Sequence, residues 1–110
     1  MKVAVIGLRR LSISDLEKYL PLDTTEIVSS GLDGIDLFAK EYSLANGIKL
    51  TQFPPDYEKY GRAALLIRNI TIISHVEMVL AFWDGKSRET KFFIENCMKR
   101  GITIKIIRAQ

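Results

Sequence analysis

Residues 64–74 read ALLIRNITIIS, and the fold turns on whether they form a strand or a helix. Their isoleucines favour a strand, because β-branched side chains suit a pleated surface. Yet Ala63, Ile67 and Ile70, with Leu66 and Ile73, also recur at helical spacing. The flanks decide. One strand pattern ends at the Pro54-Pro55 break, another opens near Val76, and a crossover has to join them. A helix from Arg62 to Ser74 is therefore expected. It is apolar almost all round, which suits cover on two faces, either as a deep core helix or as a contact between subunits.

Working outward, Lys2 to Ile6 is a β-branched run closed by Gly7, the pattern of a strand buried on both faces. Ser14, followed by Asp15 and Glu17, marks a helix start, with Ile13, Leu16 and Leu20 as its buried stripe and Pro21 as its stop. Glu26 to Ser29 is a second strand, and residues 30–34 are a turn. The next helix carries Ile35, Phe38, Ala39 and Tyr42 on one face and ends at Asn46-Gly47. Ile48 to Phe53 is a third strand. Residues 56–61 read as a loop with two tyrosines. After the helix from Arg62 come a strand from Val76 to Trp83, a helix from Ser87 or Arg88 to Arg100, and a strand from Ile102 to Ile107. That last helix has Phe93, Ile94, Cys97 and Met98 inward and Gly101 as its cap. Strand and helix alternate throughout, which predicts an α/β, Rossmann-like fold: an open parallel five-stranded sheet with helices on both faces.

The bulk properties agree with one domain. The chain has 110 residues, 47% hydrophobic and 26% charged, the range of an ordinary globular protein. No apolar run approaches the roughly 20 residues that span a membrane, so no membrane role is expected. The opening MKVAVIGLRR lacks the long apolar stretch and cleavage site of a signal peptide. A single cysteine excludes an internal disulfide and fits a reducing cytoplasm. The net charge of +3 is mild and its basic residues are scattered, so nucleic acid binding is not indicated. A local anion site explains the excess, and so does a solvated surface.

In open parallel sheets, ligands bind beyond the carboxyl ends of the strands, where strand order reverses. Three turns leave that edge: Gly7-Leu8-Arg9, Ser29-Ser30-Gly31 and Asp84-Gly85-Lys86-Ser87. The second and third lead quickly into helices, whose first N–H groups attract anions. Glycine admits a close approach, serine adds a donor, and Lys86 and Arg88 add charge. Each turn alone is a common structural feature, and neither the dinucleotide fingerprint nor a P-loop is present. Their coincidence at one edge suggests a site for a phosphate-bearing small molecule. Arg68 in an apolar helix is expected to meet an anion or to snorkel outward, and Asn69 beside it offers hydrogen bonds. Tyr57, Tyr60 and Trp83 suit stacking on a base or ordinary packing. His75 stands without a ligand cluster, so no metal site is expected. Cys97 reads as core.

Three segments together resemble the SLOG superfamily, Rossmann-like proteins that include DprA/Smf domains and the LOG phosphoribohydrolases. They are IVSSGLDGIDLFAKEYS, FPPDYEKYGRAALLIRN and AFWDGKSRETKFFIENC. The resemblance is strongest to its small YspA-like branch, whose segments read V-S-G-G-A-x-G-A-D, F-x-A-x-W-x-x-x-G-x-x-A-G-x-x-R-N and W-D-G-x-S-x-G-T. It implies a domain that binds a nucleotide or nucleotide-derived ligand. By residue matching, the ligand would meet Gly7 and Arg9; Ser29, Ser30, Gly31, Gly34 and Asp36; Arg68 and Asn69; and Asp84, Gly85, Ser87 and Thr90. Several residues depart from the branch. Leu8 replaces a serine, Ser30 a glycine, Leu32 a small residue and Leu66 a glycine. Glu89 replaces the glycine before Thr90 and sets a carboxylate beside any phosphate there. The LOG enzymes carry P-G-G-x-G-T-x-x-E, and counting three on from Thr90 gives Phe93, which cannot ionise. Glu95 is two residues further, about 200° around the helix. The resemblance therefore implies no catalytic residue and no cofactor. The expectation is a noncatalytic nucleotide-ligand sensor or accessory domain, self-associating through the helix from Arg62 to Ser74. The alternatives are a phosphoribohydrolase using Glu89 or Glu95 in a shifted role, and an oligomeric module with a decayed site.

Overall fold

The structure, a computed structural model, describes residues 1–7, 13–30 and 35–108, without the side chains of 13–15 and 35–38. The element order is β1 (Lys2–Gly7), α1 (Ile13–Tyr19), β2 (Glu26–Ser29), α2 (Ile35–Asn46), β3 (Lys49–Gln52), α3 (Tyr57–Tyr60), a 3₁₀ turn (Gly61–Ala63), α4 (Ala64–His75), β4 (Met78–Trp83), α5 (Arg88–Arg100) and β5 (Thr103–Arg108). The five strands form one parallel sheet in the order β3-β2-β1-β4-β5. The isoleucine-rich segment is helical, as the crossover demands. It carries the chain from the β3 edge past β1 to β4.

Alternation along the strands divides the core in two. Val3, Val5, Ile27, Leu80 and Phe82 face one way and pack with Leu16 of α1, Leu20 just after it and Ala39 of α2. Ala4, Ile6, Val28 and Val79 face the other way, against Ile72 and Ile73 of α4 and Phe93 and Cys97 of α5. The period of two in a strand and of 3.6 in a helix makes both surfaces continuous. Burying each large apolar side chain contributes about 1.5–3 kcal/mol, so these two layers hold the sheet between them. Burial lifts the Cys97 thiol to about 12, which keeps it an inert core group. No helix among the described residues is long and apolar enough to cross a membrane.

Several local readings are corrected. α1 begins at Ile13, so Ser14 lies within the helix and not at its cap. Residues 56–61 are not a loop: Asp56 accepts from the Lys59 N–H (3.1 Å), caps the single turn α3, and leads into the 3₁₀ turn. α4 accordingly starts at Ala64 and not at Arg62. β3 lacks Ile48 and Phe53, β4 starts at Met78, and β5 is shifted to Thr103–Arg108. α4 buries one face. Leu66 stays 40% exposed, and Ile67 and Ile70 are half-buried. Met98 points outward at 64% exposure, and Asn96 occupies the buried face because it has a hydrogen-bonding partner there.

A buried carboxylate lies at the edge of the second core layer. Glu26 at the start of β2 is buried and meets His75 Nε2 at 2.7 Å and Lys49 Nζ at 3.9 Å. Phe53 stands edge-on to the His75 ring. Burial pushes the Glu26 carboxyl upward. Hydrogen bonds to His75 and Thr51, with the charges of His75 and Lys49, outweigh it and leave the carboxyl below its ordinary value of 4.5. A depressed folded-state value stabilises the fold above 4.5, and that stability is lost as pH falls through the folded value. Melting temperature followed from neutral pH to pH 3 should therefore fall more steeply in the wild type than in Glu26→Gln. Equal slopes would exclude Glu26 as a source of acid sensitivity.

Candidate functional site

The strand order reverses between β1 and β4. The first half of the chain builds outward from β1 to β3, and the second half from β4 to β5. Their carboxyl ends, Gly7 and Trp83, mark the crevice where such sheets bind ligands. Gly7 is paired with Phe82, and a Cβ on Gly7 would stand 2.1 Å from the Phe82 carbonyl oxygen. Its φ of 142° also disfavours any side chain. Only glycine lets β1 and β4 close at this end.

A cleft opens there, lined by Ile6, Gly7, Ser30, Arg68, Glu89, Thr90 and Phe93, with a volume of about 30 Å³. A second lobe of about 120 Å³ lies against Phe53, Pro54, Asp56, Tyr60, Ala64, Ile67, Arg68 and Thr71. Arg68 borders both. α4 delivers it from the second core layer, and it is only 7% exposed. Its Nη1 donates to the Ser30 carbonyl (3.2 Å) and its Nε to Asn69 Oδ1 (2.9 Å). A guanidinium so far from solvent needs polar company on every side, and part of its surface faces both lobes.

Of the residues named from the sequence, Gly7, Ser30, Arg68 and Thr90 therefore meet in one cleft, with Glu89 and Phe93 beside them. Phe93 sits where the resemblance would put a catalytic glutamate, so a phenyl ring fills that part of the wall. Asn69 is buried behind Arg68 and donates to Asn96 Oδ1 (3.0 Å). Ser29 is fully buried on the α1–α2 side, its hydroxyl without a partner among the described residues, away from the cleft. Arg9, Gly31 and Gly34, and the Asp36 side chain, lie outside the described residues.

The turn from Asp84 to Ser87 largely satisfies itself. Asp84 Oδ1 accepts from the Lys86 N–H (2.7 Å) and the Ser87 N–H (2.8 Å), and these bonds, Ser87 first, hold its carboxyl below the usual range. Ser87 caps α5 by accepting from the Thr90 N–H (3.4 Å), and the Trp83 indole donates to the Ser87 carbonyl (3.0 Å). Gly85 has φ 83°, and a Cβ there would stand 3.0 Å from the Arg108 guanidinium. The positive φ is what favours glycine here, and the Arg108 guanidinium of β5 packs against it. Lys86 and Arg88 are exposed and outside the cleft lining. The Arg88 and Glu89 amides, in the first turn of α5, have no acceptor among the described residues. Tyr57 is exposed and Trp83 holds the turn, so among the aromatics considered Tyr60 alone reaches a lobe.

Phe53, which lines the second lobe, was not singled out from the sequence as a site residue. Its position directly after a strand and before Pro54 was the available signal. No group of three or more His, Cys, Asp or Glu suited to a metal occurs among the described residues. Comparison of the chain with protein-family models, curated proteins and solved structures finds no match.

Two substitutions separate the parts. Gly7→Ala forces β1 from β4 and should lower stability by about 3 kcal/mol in urea unfolding. Ser87→Ala removes the α5 cap and should cost about 1 kcal/mol. A Gly7→Ala protein as stable as wild type would mean the strands part easily at the crevice.

Proposed function

We propose that this chain binds a nucleotide-derived, phosphate-bearing small molecule across the two lobes around Arg68, without turning it over. The observation that carries the reading is a buried guanidinium at the junction of both lobes, at the carboxyl edge where strand order reverses. The inner lobe has about the volume of one water, so the phosphate sits over its mouth. There it accepts from Arg68, the Thr90 hydroxyl and the Arg88 and Glu89 amides, with the α5 dipole in its favour. The base or other flat end lies against Phe53 and Tyr60 in the outer lobe. Glu89 opposes the anion and keeps affinity modest.

A nucleoside monophosphate and ADP-ribose, each near millimolar, should raise the melting temperature of the wild type. Thr90→Val should reduce that rise, and Arg68→Gln should abolish it. Glu89→Gln should tighten binding about twofold to fivefold by removing one like charge. No rise with either probe would end the reading.

The cleft wall supplies one reason to keep an enzymatic alternative. Glu89 lines the inner lobe beside Arg68, so a carboxylate is present although not at the position of Phe93. A hydrolase of N-glycosidic bonds would release free base from nucleoside monophosphates and lose that activity in Glu89→Gln. A binding protein shows no release in either form.

A further inference from the structure

Behind Arg68 a hydrogen-bonded chain runs from α4 to α5. Arg68 Nε can only donate, so Asn69 must turn Oδ1 toward it (2.9 Å). Asn69 Nδ2 must then donate, and Asn96 must present Oδ1 to receive it (3.0 Å). The guanidinium thereby fixes the orientation of both amides. The chain ends on Asn96 Nδ2, which donates to no acceptor among the described residues. Asn96 is only 7% exposed. Its Nδ2 is not enclosed, so it opens at the surface and offers a donor to an acceptor there.

Asn96 borders a groove of about 480 Å³ between α4 and α5, lined by Leu66, Ile70, Asn96, Lys99 and Arg100. That volume lies within the roughly 300–1,000 Å³ of small-molecule sites. The walls are chemically unlike. Leu66 and Ile70, four residues apart, make an apolar strip on α4. Asn96, Lys99 and Arg100, at i, i+3 and i+4, make one face of α5 with donors and two cations and no carboxylate. We propose that this groove is a second ligand site, for a small organic anion with an apolar body. An oxygen of the anion accepts from Asn96 Nδ2, Lys99 and Arg100 neutralise it, and the apolar body lies on Leu66 and Ile70. This site stands independently of the cleft at the strand ends, and the amide chain links the two through Arg68.

Anilinonaphthalenesulfonate, a sulfonate on an aromatic body, is a suitable probe because its fluorescence reports binding. One molecule per chain should bind saturably, and the side-chain amide resonance of Asn96 should shift in NMR spectra. Lys99→Glu with Arg100→Glu, both exposed positions, should weaken binding about tenfold or more. Lys2→Glu with Lys40→Glu, the same charge change away from the groove, should leave it intact. Absence of binding, equal loss in both double variants, or an unmoved Asn96 resonance would overturn the proposal. So would a concentration-dependent dimer that Leu66→Glu dissolves, because a second copy would then cover the groove.

Discussion

The close approach of Gly7 to Phe82 is the constraint on which the rest depends. β1 and β4 are neighbours in the sheet but distant in the chain, and they meet with no space for a Cβ at their carboxyl ends. From β1 the chain leaves toward the α1–α2 layer, and from β4 it leaves toward the α4–α5 layer. The pair is held tightly at the point where the connections diverge, so the crevice lies above the sheet and not within it. The cleft walls follow: Ser30 from the neighbouring strand end, Thr90 from the first turn of α5, and Arg68 from the crossover helix.

Arg68 is the second organising element. An arginine held within a core layer constrains everything polar around it, because it offers donors and no acceptor. It draws in the Ser30 carbonyl at the strand ends and Asn69 on its own helix. Asn69 in turn explains why Asn96, and not Met98, occupies the buried side of α5. One charge thus sets the polar content of the whole α4–α5 interface, which would otherwise be an apolar seam of Ile72, Ile73, Phe93 and Cys97.

The turn after β4 illustrates how the same residues serve a different end from the one their types suggest. Asp, Gly, Lys and Ser after a strand and before a helix have the composition of an anion cradle. Here Asp84 takes the Lys86 and Ser87 amides, Ser87 takes that of Thr90, and the Arg108 guanidinium packs against Gly85. The turn fixes where α5 begins, and only the amides of its first turn are left to face outward.

The linear pattern was enough for the class of fold and for the elements other than α3 and the 3₁₀ turn after it. β-branched runs, helical periodicities and the Gly and Pro breaks are local, so they survive whatever packs against them. The helix at ALLIRNITIIS was legible because a crossover had to exist there. Arg68 was legible as a residue that must find polar partners, because a charge amid isoleucines is costly wherever it lies. Local signals did not reveal that Ser29 faces away while Ser30 lines the cleft, since a strand's alternation has no sign until its neighbours are set. Nor did they reveal that Arg108 packs against Gly85, or that Asn96 is buried against Asn69, twenty-seven positions away. Sequence determines which segments are strands and helices. Packing alone decides which side each polar group faces and what it meets, because those partners are remote in the chain.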